Sequence, residues 1–248
     1  MKHPDHLIDH SPAWLKTAYV TALRGLRTTA HYAGLLKRLD QKAKHSRRFH
    51  FIRSLLAIHH LDDMISLDVP WWTYGAIDYL QNYIKNCAHP IKAFEYGSGA
   101  STLWLAKRCA WVVSIEHDEV WFHKLLPKIT IYPNVDLQLI QPEPSTNIYP
   151  TPYHSSKARF LSFQKYVQSL ESTTQKYDLI VIDGRCRVDC FQIAQQYLSP
   201  NGIILLDNSN RTRYQCVLTN PDLQIKRFYG CVPGSPFKSE TAIISKIN

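Results

Sequence analysis

In the second half of the chain, apolar residues fall in short continuous runs separated by segments with helical spacing. Runs at 92–96, 111–116, 135–140, 178–183 and 202–207 predict strands buried on both faces. Between them, apolar positions three and four apart predict helices at 101–109, 118–126, 157–172 and 187–198. A further helix near 211–218 precedes strands at 223–229 and 240–246, which read as an antiparallel pair joined through "GCVPGSPFKS". Strands and helices alternating at this spacing specify an α/β fold, with a mostly parallel seven-stranded sheet closed by that pair.

The first part of the chain follows another pattern. Residues 12–40 place Trp14, Leu15, Ala18, Tyr19, Leu23, Leu26 and Leu36 at helical spacing among lysines and arginines, with breaks at Gly25 and Gly34. "KRLDQKAKHSRR" reads as a solvated connector, and "FHFIRSLLAIHHLDDMISL" as a helix ended near "DVP", with His59 and His60 as surface or capping residues. Thr73 is the expected N-cap of a helix running to about Lys85. The chain thus divides into a basic helical N-terminal extension, residues 1–69, and an α/β domain, residues 70–248. The stretch "QPEPSTNIYPTPYHSS" (141–156) predicts a long functional loop.

Charge sharpens this division. The formal net charge is +9, yet residues 1–53 hold eleven Lys or Arg against three Asp or Glu, so the remainder is nearly neutral. The extension is therefore expected to meet an anionic surface, either membrane or nucleic acid. No apolar run reaches the eighteen residues of a membrane span, and "MKHPDHLIDHSPAW" lacks the apolar core of a secretory signal. Six cysteines without paired metal spacing fit reduced, buried thiols. A cytoplasmic protein, with room for peripheral membrane attachment, is the expectation.

Candidate chemistry begins at "FEYGSGAST". Gly97, Ser98 and Gly99 form a glycine turn between a strand and a helix start, where backbone N–H groups can face a ligand. Glu95 would repel a pyrophosphate but suits a cationic ligand, and Thr102 stands where a dinucleotide fingerprint has its third glycine. The next strand ends at Glu116, an acid positioned to accept hydrogen bonds from a ribose diol. Two further strands end at Asp183 and at Asp207–Asn208, and in an open parallel sheet these ends face one crevice.

With Glu95, Gly97, Gly99 and Glu116, the chain resembles the class I S-adenosylmethionine-dependent methyltransferases over about residues 70–248. That resemblance implies S-adenosylmethionine as cofactor, held by Glu95, Gly97, Ser98, Gly99, Ser101, Glu116, His117 and Asp183. The strand-end acids are also similar to those of the catechol and caffeoyl-CoA O-methyltransferases, which implies a Mg²⁺ site at Asp183, Asp207 and Asn208. Where that type has a lysine base, this chain has Cys186, between Arg185 and Arg187. Asp183 then stays open as base or metal ligand, with Arg187 beside it as a second catalytic residue, and Arg185 and Arg187 could together clamp a carboxylate or phosphate on the acceptor.

The expected function is methylation of oxygen on a small-molecule or sugar-like acceptor. Two alternatives stand beside it. One is an RNA or other nucleic-acid methyltransferase using the basic arm on phosphates. The other is a non-catalytic binding protein on a methyltransferase fold.

Overall fold

A computed structural model describes residues 21–22, 25–30, 32, 34–57, 60–147, 151–155 and 158–247. Residues 25–30 are helical, and four further helices among the described residues precede the first strand: α1 (Leu35–Ala43), α2 (Arg47–Leu55), α3 (Leu61–Ser66) and α4 (Tyr74–Asn86). The alternating body follows as β1 (Lys92–Tyr96), α5 (Ala100–Ala106), β2 (Trp111–Glu116), α6 (Glu119–Ile129) and β3 (Val135–Leu139). Three short strands, β4 (Glu143–Pro144), β5 (His154–Ser155) and β6 (Ala158–Ser162), build a small separate sheet. Then come α7 (Gln164–Val167), β7 (Tyr177–Ile182), α8 (Arg187–Ala194), β8 (Leu198–Asp207), α9 (Gln215–Leu218), β9 (Leu223–Val232) and β10 (Ser235–Lys246).

The main sheet has seven strands in the order β3-β2-β1-β7-β8-β10-β9. Its first five are mutually parallel, whereas β10 runs antiparallel to both β8 and β9. Side-chain alternation explains the continuous apolar runs. Phe94, Tyr96, Ile180, Ile182, Ile204 and Leu206 pack on one face of the sheet, while Ala93, Leu179, Val181, Ile203 and Leu205 pack on the other. The chain reverses direction across the sheet between β1 and β7, and the carboxyl ends of β1, β2, β7 and β8 open on one crevice.

Two sequence expectations change. The helix expected at 157–172 begins only at Gln164, because Ala158–Ser162 pairs with β4 and β5 instead. The buried positions Phe163, Tyr166, Val167 and Leu170 carry the true helical spacing. The expected connector 37–48 lies mostly within α1 and α2, held by the Arg53–Asp40 ion pair at 2.7 Å and by buried Leu36 and Ala43. The part of the first expected helix before residue 21, and His59, lie outside the described residues. His60 does cap α3, its Nδ1 accepting from the Asp63 N–H at 3.3 Å.

Packing runs across residue 69. Ala57, Leu61, Met64 and Val69 share a core with Ala100, Leu103, Leu125 and Ile129 of the α/β body. Some of the extension's positive charge is spent internally, since Arg27 and Arg53 both pair with Asp63 and Arg47 pairs with Asp78. Among the described residues no helix is long and apolar enough to cross a membrane.

Candidate active site

Glu95 enters the site from β1, fully buried under the start of α5. Its Oε2 accepts from the hydroxyls of Thr102 at 2.5 Å and Ser114 at 2.6 Å, tying α5 to β2. Among the described residues its Oε1 has no hydrogen-bond partner of good geometry, although the Ser101 hydroxyl lies close enough to act on the carboxylate. Burial pushes this carboxyl up to about 7, against the opposing pull of the Ser101, Ser114 and Thr102 hydroxyls. The folded value lies above the ordinary 4.5, so the native state keeps a proton that the unfolded chain has already released. Stability from this group is therefore lost as pH rises from about 4.5 to about 7, at up to about 1.4 kcal/mol per pH unit. Urea melts at pH 5 and 7.5 should show Glu95→Gln gaining on the wild type at the higher pH; an unchanged difference would remove this account.

The two glycines differ in what they require. Gly97 has φ +92°, and a Cβ there would lie 2.8 Å from the Gly184 backbone, so this position admits only glycine. Gly99 is extended, and a Cβ on it would meet only the Ser101 hydroxyl, at 3.8 Å. Internal packing does not demand glycine at 99, although the residue is buried and its N–H and carbonyl both engage Thr102. Ser98 is fixed from both sides: its N–H donates to Glu116 Oε2 at 3.1 Å, and its carbonyl accepts from Trp121 Nε1 at 2.9 Å.

Glu116 is buried and turned toward this turn. Oε1 accepts from the N–H groups of His117 at 2.7 Å and Asp118 at 2.9 Å, and Oε2 also takes a long 3.4 Å contact from the Ser98 hydroxyl. Arg185 Nε donates to His117 Nε2 at 3.2 Å, which leaves the imidazole proton on Nδ1, 2.8 Å from Glu116 Oε1. His117 thus links the β2 end to the turn after β7.

The ends of β7 and β8 meet around Arg187, which is buried in the first turn of α8. Its Nη2 donates to Asp183 Oδ1 and to the Asp183 carbonyl, both at 2.8 Å. Its Nη1 donates to the Asp207 carbonyl and lies 3.8 Å from Asp207 Oδ2, while Nε donates to the Gly184 carbonyl at 3.1 Å. Trp72 Nε1 donates to Asp183 Oδ2 at 3.3 Å, and the Thr241 hydroxyl donates to Asp207 Oδ1 at 2.8 Å. Burial pushes both carboxyls up, and Arg187 opposes that rise. Asp183 keeps about a fifth of its side chain exposed, whereas Asp207 is sealed.

This geometry corrects two expectations. Asp183, Asp207 and Asn208 do not fit a divalent cation, because the Arg187 guanidinium already stands as the positive charge between the two aspartates. Asn208 turns its amide to the Ser239 hydroxyl at 3.3 Å, and among the described residues no cluster of three His, Cys, Asp or Glu side chains could hold a metal. Arg187 is also no acceptor clamp, since its donors are spent on Gly184, Asp183 and Asp207. It is a positioning residue.

Other parts of the site escaped the sequence reading. Ser114 is a lone hydroxyl in an apolar strand, a signal available in "WVVSIE". Trp121 and Thr241 carry no local signal that separates them from ordinary core residues.

No protein-family model matches the sequence, and no curated protein matches it either. Solved structures do. The O-methyltransferase from Bacillus cereus in complex with SAH superposes at TM-score 0.54 with 16% identity, covering 75% of this chain and 90% of that one. An rRNA methylase from Streptococcus thermophilus superposes at TM-score 0.50 with 9% identity, covering 69% of this chain and 96% of that one. The chain has the Rossmann-like fold of the class I S-adenosylmethionine-dependent methyltransferases. At these identities the likeness extends to the fold alone.

Proposed function

We propose that the protein is an S-adenosylmethionine-dependent methyltransferase acting on an oxygen of a small-molecule or sugar-like acceptor. The observation that carries this reading is the buried Glu95 Oε1, which has no hydrogen-bond partner of good geometry among the described residues, beneath the glycine turn at 97–99. An unsatisfied buried acceptor calls for a donor, and the cofactor's ammonium group is one. Ser98, Gly99 and Ser101 would line the cofactor, and Glu116 would take a ribose hydroxyl in place of its long contact with Ser98. When bound, the cofactor supplies a methyl group already activated on a sulfonium. The chain's own tasks are alignment and removal of the acceptor proton.

Asp183 serves the second task. Arg187 and Trp72 hold its two oxygens in place, and its raised proton affinity suits a base better than an ordinary carboxylate would.

Titration calorimetry with S-adenosylhomocysteine tests the cofactor reading. Glu116→Ala should weaken binding by about 1–3 kcal/mol, since the ribose hydroxyl would lose its acceptor. Unchanged affinity in a folded variant removes the assignment of Glu116 to the ribose. Tritiated S-adenosylmethionine with fractionated cell extract tests turnover, and label passing to no fraction argues for a non-catalytic binding protein.

Lys37, Arg38, Lys42, Lys44 and Arg48 are exposed within twelve residues, and this strip is proposed as the contact with an anionic surface. Phosphatidylserine vesicles should bind the full chain at low salt and release it at high salt. Vesicle binding that ignores salt overturns this assignment.

A further inference from the structure

A cavity of about 530 Å³ opens beside Asp183. Its walls are the turn after β7, the segment after β8 and residues Thr151–Ser155. Four arginines line it (Arg185, Arg187, Arg211 and Arg213) against only two carboxylates, Asp183 and Asp189. Arg187 is committed to Asp183, so that pair cancels. Asp189 accepts from the Tyr153 N–H at 3.3 Å and keeps its charge, so the lining carries two more arginines than carboxylates. Among the described residues Arg185, Arg211 and Arg213 make no ion pair. Arg213 stacks over the Tyr214 ring at 4.9 Å, which steadies its side chain without neutralising it.

A second observation points the same way. The eight-residue helix α8 begins at the cavity, after Cys186 in the left-handed conformation at φ 48°, with no side-chain cap. Cys186, Arg187, Val188 and Asp189, the first turn of α8 and its N-cap, all line the cavity. The positive end of a helix dipole and three guanidinium groups without an ion pair therefore face one half-open space, whose lining keeps an excess of positive charge. An anion with several oxygens matches the planar donor fork of arginine, which a neutral sugar or an aromatic ring does not use.

We infer that this cavity is an oxyanion subsite: it takes a phosphate or carboxylate group of a small acceptor on Arg185, Arg211 and Arg213. The inference rests on the methyltransferase reading only for calling the ligand an acceptor. The cavity adjoins Asp183, so an acceptor anchored there by its charge would bring a neighbouring hydroxyl to the base.

Calorimetry of the full chain with inorganic pyrophosphate, at physiological ionic strength, tests the subsite. Pyrophosphate should bind the wild type, and Arg211→Gln/Arg213→Gln should weaken it at least tenfold. Lys42→Gln/Lys44→Gln, in the exposed strip, should not. S-Adenosylhomocysteine affinity in the Arg211→Gln/Arg213→Gln protein should stay within twofold of the wild type. Absent pyrophosphate binding, or binding equal in the two proteins, overturns the inference. A parallel loss of S-adenosylhomocysteine affinity also overturns it, because these arginines would then hold the cofactor carboxylate. A wild type that binds pyrophosphate but not S-adenosylhomocysteine would instead sink the cofactor reading and leave the anion site standing.

Discussion

Arg187→Met should cost the protein about 3–5 kcal/mol of stability, the range for removing one partner from a buried ionic cluster. The guanidinium spans the ends of β7 and β8, satisfying three carbonyls beyond its contacts with the Asp183 and Asp207 side chains. Methionine fills a similar volume and supplies none of those donors. Both carboxylates would then hold protons more tightly than they already do, because the nearest positive charge is gone. Their folded proton affinities would rise further above the unfolded values, so the deficit should grow with pH and be smallest near pH 5. Urea melts at pH 5 and pH 8 measure this directly. Adding Asp207→Asn to Arg187→Met should recover part of the loss, giving a coupling of the sign expected for a charge cluster. An equal loss at both pH values, with no recovery in the double variant, would mean that Arg187 acts by packing alone. Chelator should change neither stability nor turnover, since the guanidinium already supplies the positive charge between the aspartates.

The reach of the sequence reading follows from what each feature depends on. The strands were legible because β1, β7 and β8 are buried on both faces, which leaves unbroken apolar runs in the chain. Glu95 and Glu116 stood out as single acids within or at the end of such runs. The misread segment at 157–162 shows the limit, since Ala158–Ser162 becomes a strand by pairing with residues that local periodicity does not connect to it. The same limit applies at the site. Two aspartates and an asparagine at strand ends satisfy the composition of a metal centre. Only the fold reveals that Arg187, one turn beyond Asp183, bends back between them. The excess positive charge around Arg211 and Arg213 is likewise a property of the cavity, invisible in "NSNRTRYQ".

Asp183→Asn should lower turnover by about 10²–10⁴, the contribution of a positioned general base, while leaving S-adenosylhomocysteine binding nearly intact. Asparagine keeps the size of the side chain and can still accept from either Arg187 or Trp72, but it cannot take a proton from an acceptor hydroxyl. The polar groups proposed to face the cofactor (Glu95 Oε1 in β1 and the glycine turn that follows it) lie apart from Asp183 in the chain, so they survive the change. A purely structural role for Asp183 would produce a different pattern. The β7–β8 junction would loosen, and stability would fall together with S-adenosylhomocysteine affinity. The pH profile separates the two. Burial raises the proton affinity of Asp183, so wild-type turnover should climb as pH rises through that elevated value and the base becomes ionised. The residual activity of Asp183→Asn should lack that limb. Label transfer from tritiated S-adenosylmethionine into the active extract fraction, followed from pH 5 to 9 for both proteins, gives the measurement. Equal rates at every pH would show that Asp183 is not the base.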